Sequence, residues 1–219
     1  LEALKTDSAT GPDLLPVKVI KTCAVELRVA FLKLAKRVVD IGTWPTLWKQ
    51  HWVVPLYKKK TVFQPGNYRG VHLTAQLSKA MGRLLGRLFV PFLSESKRCG
   101  PSQFAYCKEK GARDAFAFLV PCWLQGFNVK AKFALYCSDV AGAFDRCWWL
   151  KLKLSLEQRG MRKKALDLLR SYLFQRSIQV VSNGKTTKKR EIFSSVPQGG
   201  KLSPPLWDFD ISDMHTMVS

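Results

Sequence analysis

The stretch YCSDVAGAFDR, Tyr136 to Arg146, sets a carboxylate, Asp139, five residues ahead of an aromatic ring, Phe144, with a second carboxylate, Asp145, beside that ring. The residues before Asp139, "KFALYCSD", read as a buried strand because they are almost continuously apolar. A carboxylate at a strand end has two chemistries open to it. It can bond nearby backbone N–H groups and cap whatever follows. Alternatively it can hold a hard divalent cation, which takes oxygen ligands, while the aromatic walls a pocket next to it. These eleven residues alone leave both open.

The charge of the chain narrows the choice of partner. Its 219 residues carry 36 Lys plus Arg against 16 Asp plus Glu, a formal net charge of +20. Such an excess favours a polyanion, because each phosphate neutralised releases a condensed counterion. Nucleic acid leads. An acidic membrane surface fits less well, since the cations do not gather on one strongly amphipathic helix. Between Lys151 and Arg190 there are twelve Lys or Arg against Glu157 and Asp167. Within that run Arg162, Lys163 and Lys164 form a candidate nucleic-acid contact, with a solvated helix face as the alternative.

Several classes are disfavoured. The six cysteines contain no C-x-x-C pair and the three histidines are dispersed, so a zinc site is not expected and the cysteines read as reduced core fillers. The opening "LEALKTDSATGPD" has no apolar segment of the signal-peptide kind. The longest mainly apolar run, "AFAFLVPCWL", is well short of the roughly 20 residues that span a bilayer. An intracellular protein, nuclear or cytoplasmic and not secreted, is the expectation.

The positioning elements follow from periodicity. Apolar residues recur three or four apart from Val17 to Val38, predicting a helix that Gly42 and Pro45 end. "HWVVPLYKKK" reads as a short strand and "QPGNYRG" as a loop. "LTAQLSKAMGRLLGRLF" predicts a helix stopped by Pro91, and Ala112 to Gln125 another that Pro121 ends or kinks. Two more helices, Trp148 to Gln158 and Arg162 to Arg176, flank Gly160. Asn183-Gly184 supplies the positive φ angles of a tight hairpin turn inside "SIQVVSNGKTTKKREIF".

Four stretches then stand in a telling order: "WVVPLYKKK" with "NYRG", "SQFAY" with "GARDA", "SDVAGAFD", and "VPQGGKLSPPLWDFDISDM". Together they resemble the reverse transcriptase domain of non-LTR (LINE-like) retrotransposons. The likeness covers Thr10 to Asp213, including "GPD" near the start. It implies an α/β (α+β) fold of right-hand polymerase type. Residues 1–129 would be fingers-like and 130–219 a partial palm, with mixed helices and a small antiparallel sheet. It further implies RNA-directed DNA synthesis by two-metal nucleotidyl transfer, on an RNA template and DNA primer, from deoxynucleoside triphosphates.

Carried over residue by residue, the resemblance makes Asp139 the catalytic carboxylate and a ligand of Mg2+, with the Val140 carbonyl as a further ligand. Phe144 would gate the sugar 2′ position. Lys58 or Lys59 and Arg69 would grip the triphosphate, the planar Arg fork bonding two oxygens at once. Gln198 and Gly199 would lie against the nucleotide, and Gln103 near the template. Asp145 is expected to cap the Trp148 helix.

Departures from the family pattern matter as much. "YRPISL" is here "YRGVHL", which puts Gly70 and His72 where the family has Pro and Ser. "QGS-x-LSPLL" is here "QGGKLSPPL", introducing Lys201 and Pro204-Pro205. An aromatic-Ala-Asp-Asp segment and the thumb do not occur before Ser219. Asp208, Asp210 and Asp213 are poor substitutes for that pair, so Mg2+ binding is expected to be weak and this chain inactive alone. The absent strands would also leave the Lys132–Ser138 edge unpaired and the fold prone to associate. The alternative function is a non-catalytic, basic nucleic-acid-binding remnant of a mobile element.

Overall fold

The computed structural model describes residues 1–94 and 102–211. Asp213, His215 and Cys99 lie outside these. Helices α1 (Val17–Thr22) and α2 (Ala24–Ile41) replace the one long helix expected, the break falling at Cys23. Gly42 ends α2 in the left-handed conformation, φ 70°, as the sequence implied. Strand β1 (Gln50–Tyr57) and strand β2 (Tyr68–Leu73) form an antiparallel hairpin. "YRG" is thus strand rather than loop, because pairing with β1 overrides its weak local preference.

Helix α3 (Gln76–Leu93) follows, then α4 (Ala112–Asn128), α5 (Trp149–Gln158) and α6 (Lys163–Leu173). Pro91 and Pro121 both remain inside their helices. The carbonyls they leave without a helical N–H belong to Arg87 and Ala117. Both residues are exposed, so water can take the place of the lost donor.

Strands β3 (Arg176–Ser182), β4 (Lys185–Thr186) and β5 (Arg190–Ile192) complete the sheet, and α7 (Ser203–Ile211) ends the described chain. The β3–β4 turn is the predicted one, with Asn183 at φ 49° and Gly184 at φ 73°. The fold is mixed α/β, and the sheet is mixed rather than purely antiparallel. Strand β3 pairs parallel to β1, from Gln50↔Ser177 to Val53↔Val180, while β5 and β4 pair antiparallel to β3. Pro55 lies just past the last β1–β3 pair, where its missing N–H costs least.

Two further expectations are overturned. Residues 131–140 form no strand, and Leu135, Tyr136 and Asp139 are exposed. A strand needs a neighbour to take its N–H and C=O groups, and among the described residues none runs beside this one. Cys107 is disulfide-bonded rather than reduced, whereas Cys23, Cys122, Cys137 and Cys147 are free.

The main core gathers the inner faces of α3, α5, α6 and α7, with Ala35 and Val38 of α2 added. Trp44 anchors it. Its ring meets Trp48 at 5.5 Å and Tyr172 at 4.9 Å, both edge to face, and its backbone N–H donates to Ser171 Oγ at 2.8 Å. A smaller core of Leu4, Val17 and Ile20 holds the N-terminal segment against Leu77 and Ala80 of α3. That segment is pinned twice more, by Gln76 Nε2 donating to the Ala9 carbonyl at 2.6 Å and by Arg83 donating to the Ala3 carbonyl.

Gly11 is needed for this strap. A Cβ there would sit 2.4 Å from the Thr74 carbonyl carbon and 2.6 Å from Ala75 N, both backbone atoms with nowhere to move. Gly11→Ala is therefore expected to destabilise the protein by about 1–3 kcal/mol, as overpacking does. A urea midpoint equal to that of the parent protein would show that the strap shifts freely.

Candidate functional site

The hairpin β1–β2, the N-terminus of α3 and the loop 197–201 enclose a cavity of about 480 Å³. Arg69 and His72 reach it from β2, His51 from β1, Lys79 and Arg83 from α3, and Gln198, Gly199 and Lys201 from the loop. Ser8 and Ala9 of the N-terminal strap complete a wall. Four cations line it, Arg69, Lys79, Arg83 and Lys201, and among the described residues no carboxylate does. Burial, then the neighbouring Arg83, holds the Lys79 ammonium below its ordinary range, with Asp13 opposing. An anionic ligand suits such a lining.

The loop is shaped by glycine. Gly199 takes φ 88°, and a Cβ on Gly200 would lie 2.9 Å from both the Tyr172 hydroxyl and Ser203 Oγ. Ser203 Oγ in turn donates to the Pro197 carbonyl at 2.6 Å, closing the turn onto the start of α7. Gln198 Nε2 lies 3.5 Å from Asp145 Oδ1.

Two imidazoles meet in the cavity wall. His51 Nδ1 and His72 Nδ1 are 3.3 Å apart, with ring centroids 5.6 Å apart. Burial, then the Arg176 cation, then His72 itself push His51 down to about 3. His72 is lowered by burial first and by Arg176 second, with Asp145 opposing. Both rings are neutral at pH 7, so one Nδ1–H donates to the lone pair of the other.

Arg176, only 1% exposed, stands behind them. Its Nε donates to the Leu173 carbonyl at 2.9 Å, and its Nη2 donates to the Ser195 carbonyl and, at 2.9 Å, to Ser195 Oγ. Its Nη1 is buried with no hydrogen-bond partner among the described residues. Desolvation lowers the guanidinium to about 10.

The structure thus brings together Arg69, Gln198 and Gly199 of the residues singled out in the sequence. The others lie elsewhere. Lys58 and Lys59 are exposed on the β1–β2 tip. Asp139 and Val140 belong to the exposed 131–140 segment. Phe144 packs on the main core, its ring 6.5 Å from Trp207. Gln103 is buried, and its Nε2 donates to Asp208 Oδ1 at 2.8 Å and to the Ala105 carbonyl at 3.1 Å. Asp208, raised to about 6 by desolvation against the pull of that bond, is tied to Gln103 in the core. Arg162, Lys163 and Lys164 are exposed at the start of α6, where Lys164 Nζ lies 3.8 Å from Asp40 Oδ1.

Asp145 does not cap α5, whose N-cap is Trp148 without a side-chain bond. It faces Gln198 instead. Sequence reasoning marked His72 and Lys201 as departures from a pattern, but missed His51, Lys79, Arg83 and Arg176. No local signal joins those four.

Residues 57–219 match the reverse transcriptase (RNA-dependent DNA polymerase) family. The chain belongs to this family. It is 27% identical, over 99% of its length, to the RNA-directed DNA polymerase from mobile element jockey of Drosophila melanogaster, and covers 24% of that protein. It is 24% identical, over 95% of its length, to the probable RNA-directed DNA polymerase from transposon X-element of the same species, covering 23% of it. A third relative, the Pol polyprotein from type-1 retrotransposable element R1 of Bradysia coprophila, is 24% identical, with 96% of this chain and 20% of the relative covered. The chain therefore spans about a quarter of the length of the curated relatives it matches. Membership of the reverse transcriptase family, with relatives from mobile elements, agrees with the expectation from its four motifs. Among the described residues no helix is long and apolar enough to cross a membrane.

Two measurements follow. The unfolded histidine protonates near 6.5 while folded His51 resists until about 3, so the unfolded state binds the extra proton and stability falls as pH drops through that window. The loss is roughly 1.4 kcal/mol per pH unit. Asp208 acts in the opposite sense, taking its proton first in the folded state as pH falls below about 6. NMR separates the two. The His51 ring signals should stay in the neutral position from pH 7.5 to 5, and a midpoint near 6.5 would contradict its burial.

Replacing Arg176 by Met leaves the Leu173 and Ser195 carbonyls without a donor, an expected loss of about 1–3 kcal/mol in urea unfolding. The same substitution should move the His72 titration upward. An unchanged His72 would show that Arg176 does not govern the pair.

Proposed function

We propose that this chain supplies the nucleotide-binding fingers and part of the palm of an RNA-directed DNA polymerase. The observation that carries the reading is the cavity itself. It joins Arg69 and the Gln198-Gly199 loop, 129 positions apart in sequence, around four cations and, among the described residues, no carboxylate. A deoxynucleoside triphosphate is the matching ligand. Its phosphates would face Arg69 and Lys201, where fork geometry and a flexible ammonium are complementary. The neutral His51–His72 pair then offers a polar wall without adding charge.

Within this reading residues 1–129 act as fingers and 130–219 as partial palm. Lys58 and Lys59, on the tip beyond the cavity, would reach the triphosphate only by movement of the hairpin. Phe144, anchored on Trp207, would set the sugar-facing wall. Gln103 would support the template side through Asp208 rather than by direct contact, since its amide nitrogen is already engaged.

Mg2+ is what the family's chemistry implies. Among the described residues no three His, Cys, Asp or Glu side chains converge on a metal position. Asp139 and the Val140 carbonyl by themselves do not fit a two-ion site, which needs more oxygens and more negative charge. Their assignment as ligands requires carboxylates from outside the described residues.

A second reading, non-catalytic nucleic-acid binding, is favoured by the exposed cations Arg162, Lys163 and Lys164. It predicts affinity for single strands that falls with salt, log against log, at roughly −0.7 per phosphate neutralised.

In calorimetry on this chain, Arg69→Ala should weaken deoxynucleoside triphosphate binding about 10-fold or more, the worth of a bond to a charged group. Asp139→Ala should leave that binding unchanged. In a longer polymerase containing the chain, Asp139→Ala should abolish incorporation while leaving RNA affinity within about 2-fold. Loss of both together would reject the metal role. Absence of any triphosphate binding would leave the second reading.

A further inference from the structure

The β1–β2 tip carries an unusual investment in order. Its three consecutive carbonyls at Lys60, Thr61 and Val62 each accept a hydrogen bond from a different side chain at the strand ends. Tyr57 OH donates to Lys60, Asn67 Nδ2 donates to Thr61 at 2.6 Å, and Tyr68 OH donates to Val62 at 2.8 Å. The two tyrosine rings also meet edge to face at 5.6 Å. Backbone bonds from Lys58 N to Asn67 O at 2.9 Å and from Asn67 N to Gln64 O at 3.0 Å close the base of the loop. Lys60 takes φ 78°, a conformation uncommon for a lysine.

What this frame displays is Phe63. The ring is 91% exposed, with Val62 half-exposed beside it. A phenylalanine left in water gains nothing for the fold. Lys58, Lys59 and Lys60, all exposed, precede it by three to five residues on the same tip, and no acidic residue occurs from Lys58 through Gln76. A flat apolar face among cations matches one partner chemistry, unpaired bases on a phosphate backbone. Every base has a π-face to stack, and each phosphate can meet an ammonium. The bracing lowers the ordering cost of binding, because the loop is already set.

We propose that the β1–β2 tip is a stacking platform for a base of single-stranded nucleic acid, with Phe63 supplying the ring and Lys58–Lys60 the phosphate contacts. This rests on the nucleic-acid reading given above and assigns it a specific residue. With the hairpin placed as it is, the two lysines singled out in the sequence meet the strand, and they reach the incoming triphosphate only after the hairpin moves. Because Phe63 contributes nothing to the core, its substitution should leave the fold intact.

The test is fluorescence anisotropy of a labelled single-stranded RNA across a salt series, with this chain and its Phe63→Ala, Phe63→Trp and Lys58→Ala/Lys59→Ala variants. Phe63→Ala should weaken binding about 5- to 100-fold with the salt slope unchanged, the range set by stacking of one base. Phe63→Trp should bind at least as tightly as the parent. The double lysine variant should instead make the slope shallower by roughly 0.7 for each phosphate that is no longer neutralised. An RNA with one abasic position moved stepwise along the strand should reproduce the Phe63→Ala loss at some position, and there Phe63→Ala should cost nothing further. Parent-like affinity of Phe63→Ala, with the parent binding in the usual salt-dependent way, would overturn the platform and leave the nucleic-acid reading standing. Failure of the parent to bind any strand would overturn both.

Discussion

A single buried guanidinium ties the structure together. Arg176 begins β3, so the strand that runs parallel to β1 starts from a charge held by the end of α6 and by the Ser195 segment ahead of the 197–201 loop. It therefore connects the hairpin side of the cavity to the loop side. Its field also adds to the effect of burial there. Burial first, and the Arg176 cation second, keep the two imidazoles neutral, so that they hydrogen-bond to each other instead of repelling. Burying an arginine without a carboxylate partner is costly, and the three hydrogen bonds it donates offset that cost only in part. Such an arrangement is consistent with a site that gains from the positive potential.

The cations of this chain divide by setting. Within the cavity Lys79 and Arg83 are half-sheltered, and burial, then Arg83, lowers the Lys79 ammonium, whereas Arg69 and Lys201 are exposed. Those of the hairpin tip and of the α6 start are exposed as well. Salt screens the exposed cations far more than it screens Lys79 and Arg83. A protein with +20 net charge thus has two kinds of attraction for phosphate, one local and shaped and one diffuse.

Much of this was legible in the sequence and some was not. The helices announced themselves through apolar residues three or four apart, Gly42 through its place after α2, and the hairpin turn through Asn183-Gly184, because these signals are local. The parallel β1–β3 pair was not legible, since nothing in residues 50–53 or 177–180 names its partner. Pro91 and Pro121 misled because a proline costs little where the freed carbonyl faces water. The 132–138 segment misled for the converse reason, as an apolar run has strand character only when a neighbour is there to complete it. Of the site, the motif order found Arg69, Gln198 and Gly199. His51, Arg176 and the Gln103–Asp208 bond rest on separations no pattern covers.

The β1–β3 pairing and the Trp44–Ser171 bond, 127 residues apart, also impose a schedule on synthesis. A ribosome adding about 5–20 residues per second needs roughly 6–25 s to make the second half of that pair after the first. Throughout this interval Trp44 lacks Ser171 and Tyr172, and the β3-facing edge of β1 lacks its strand. Production of soluble protein should consequently depend on chaperone supply and growth temperature during translation more than on the equilibrium stability of the finished fold.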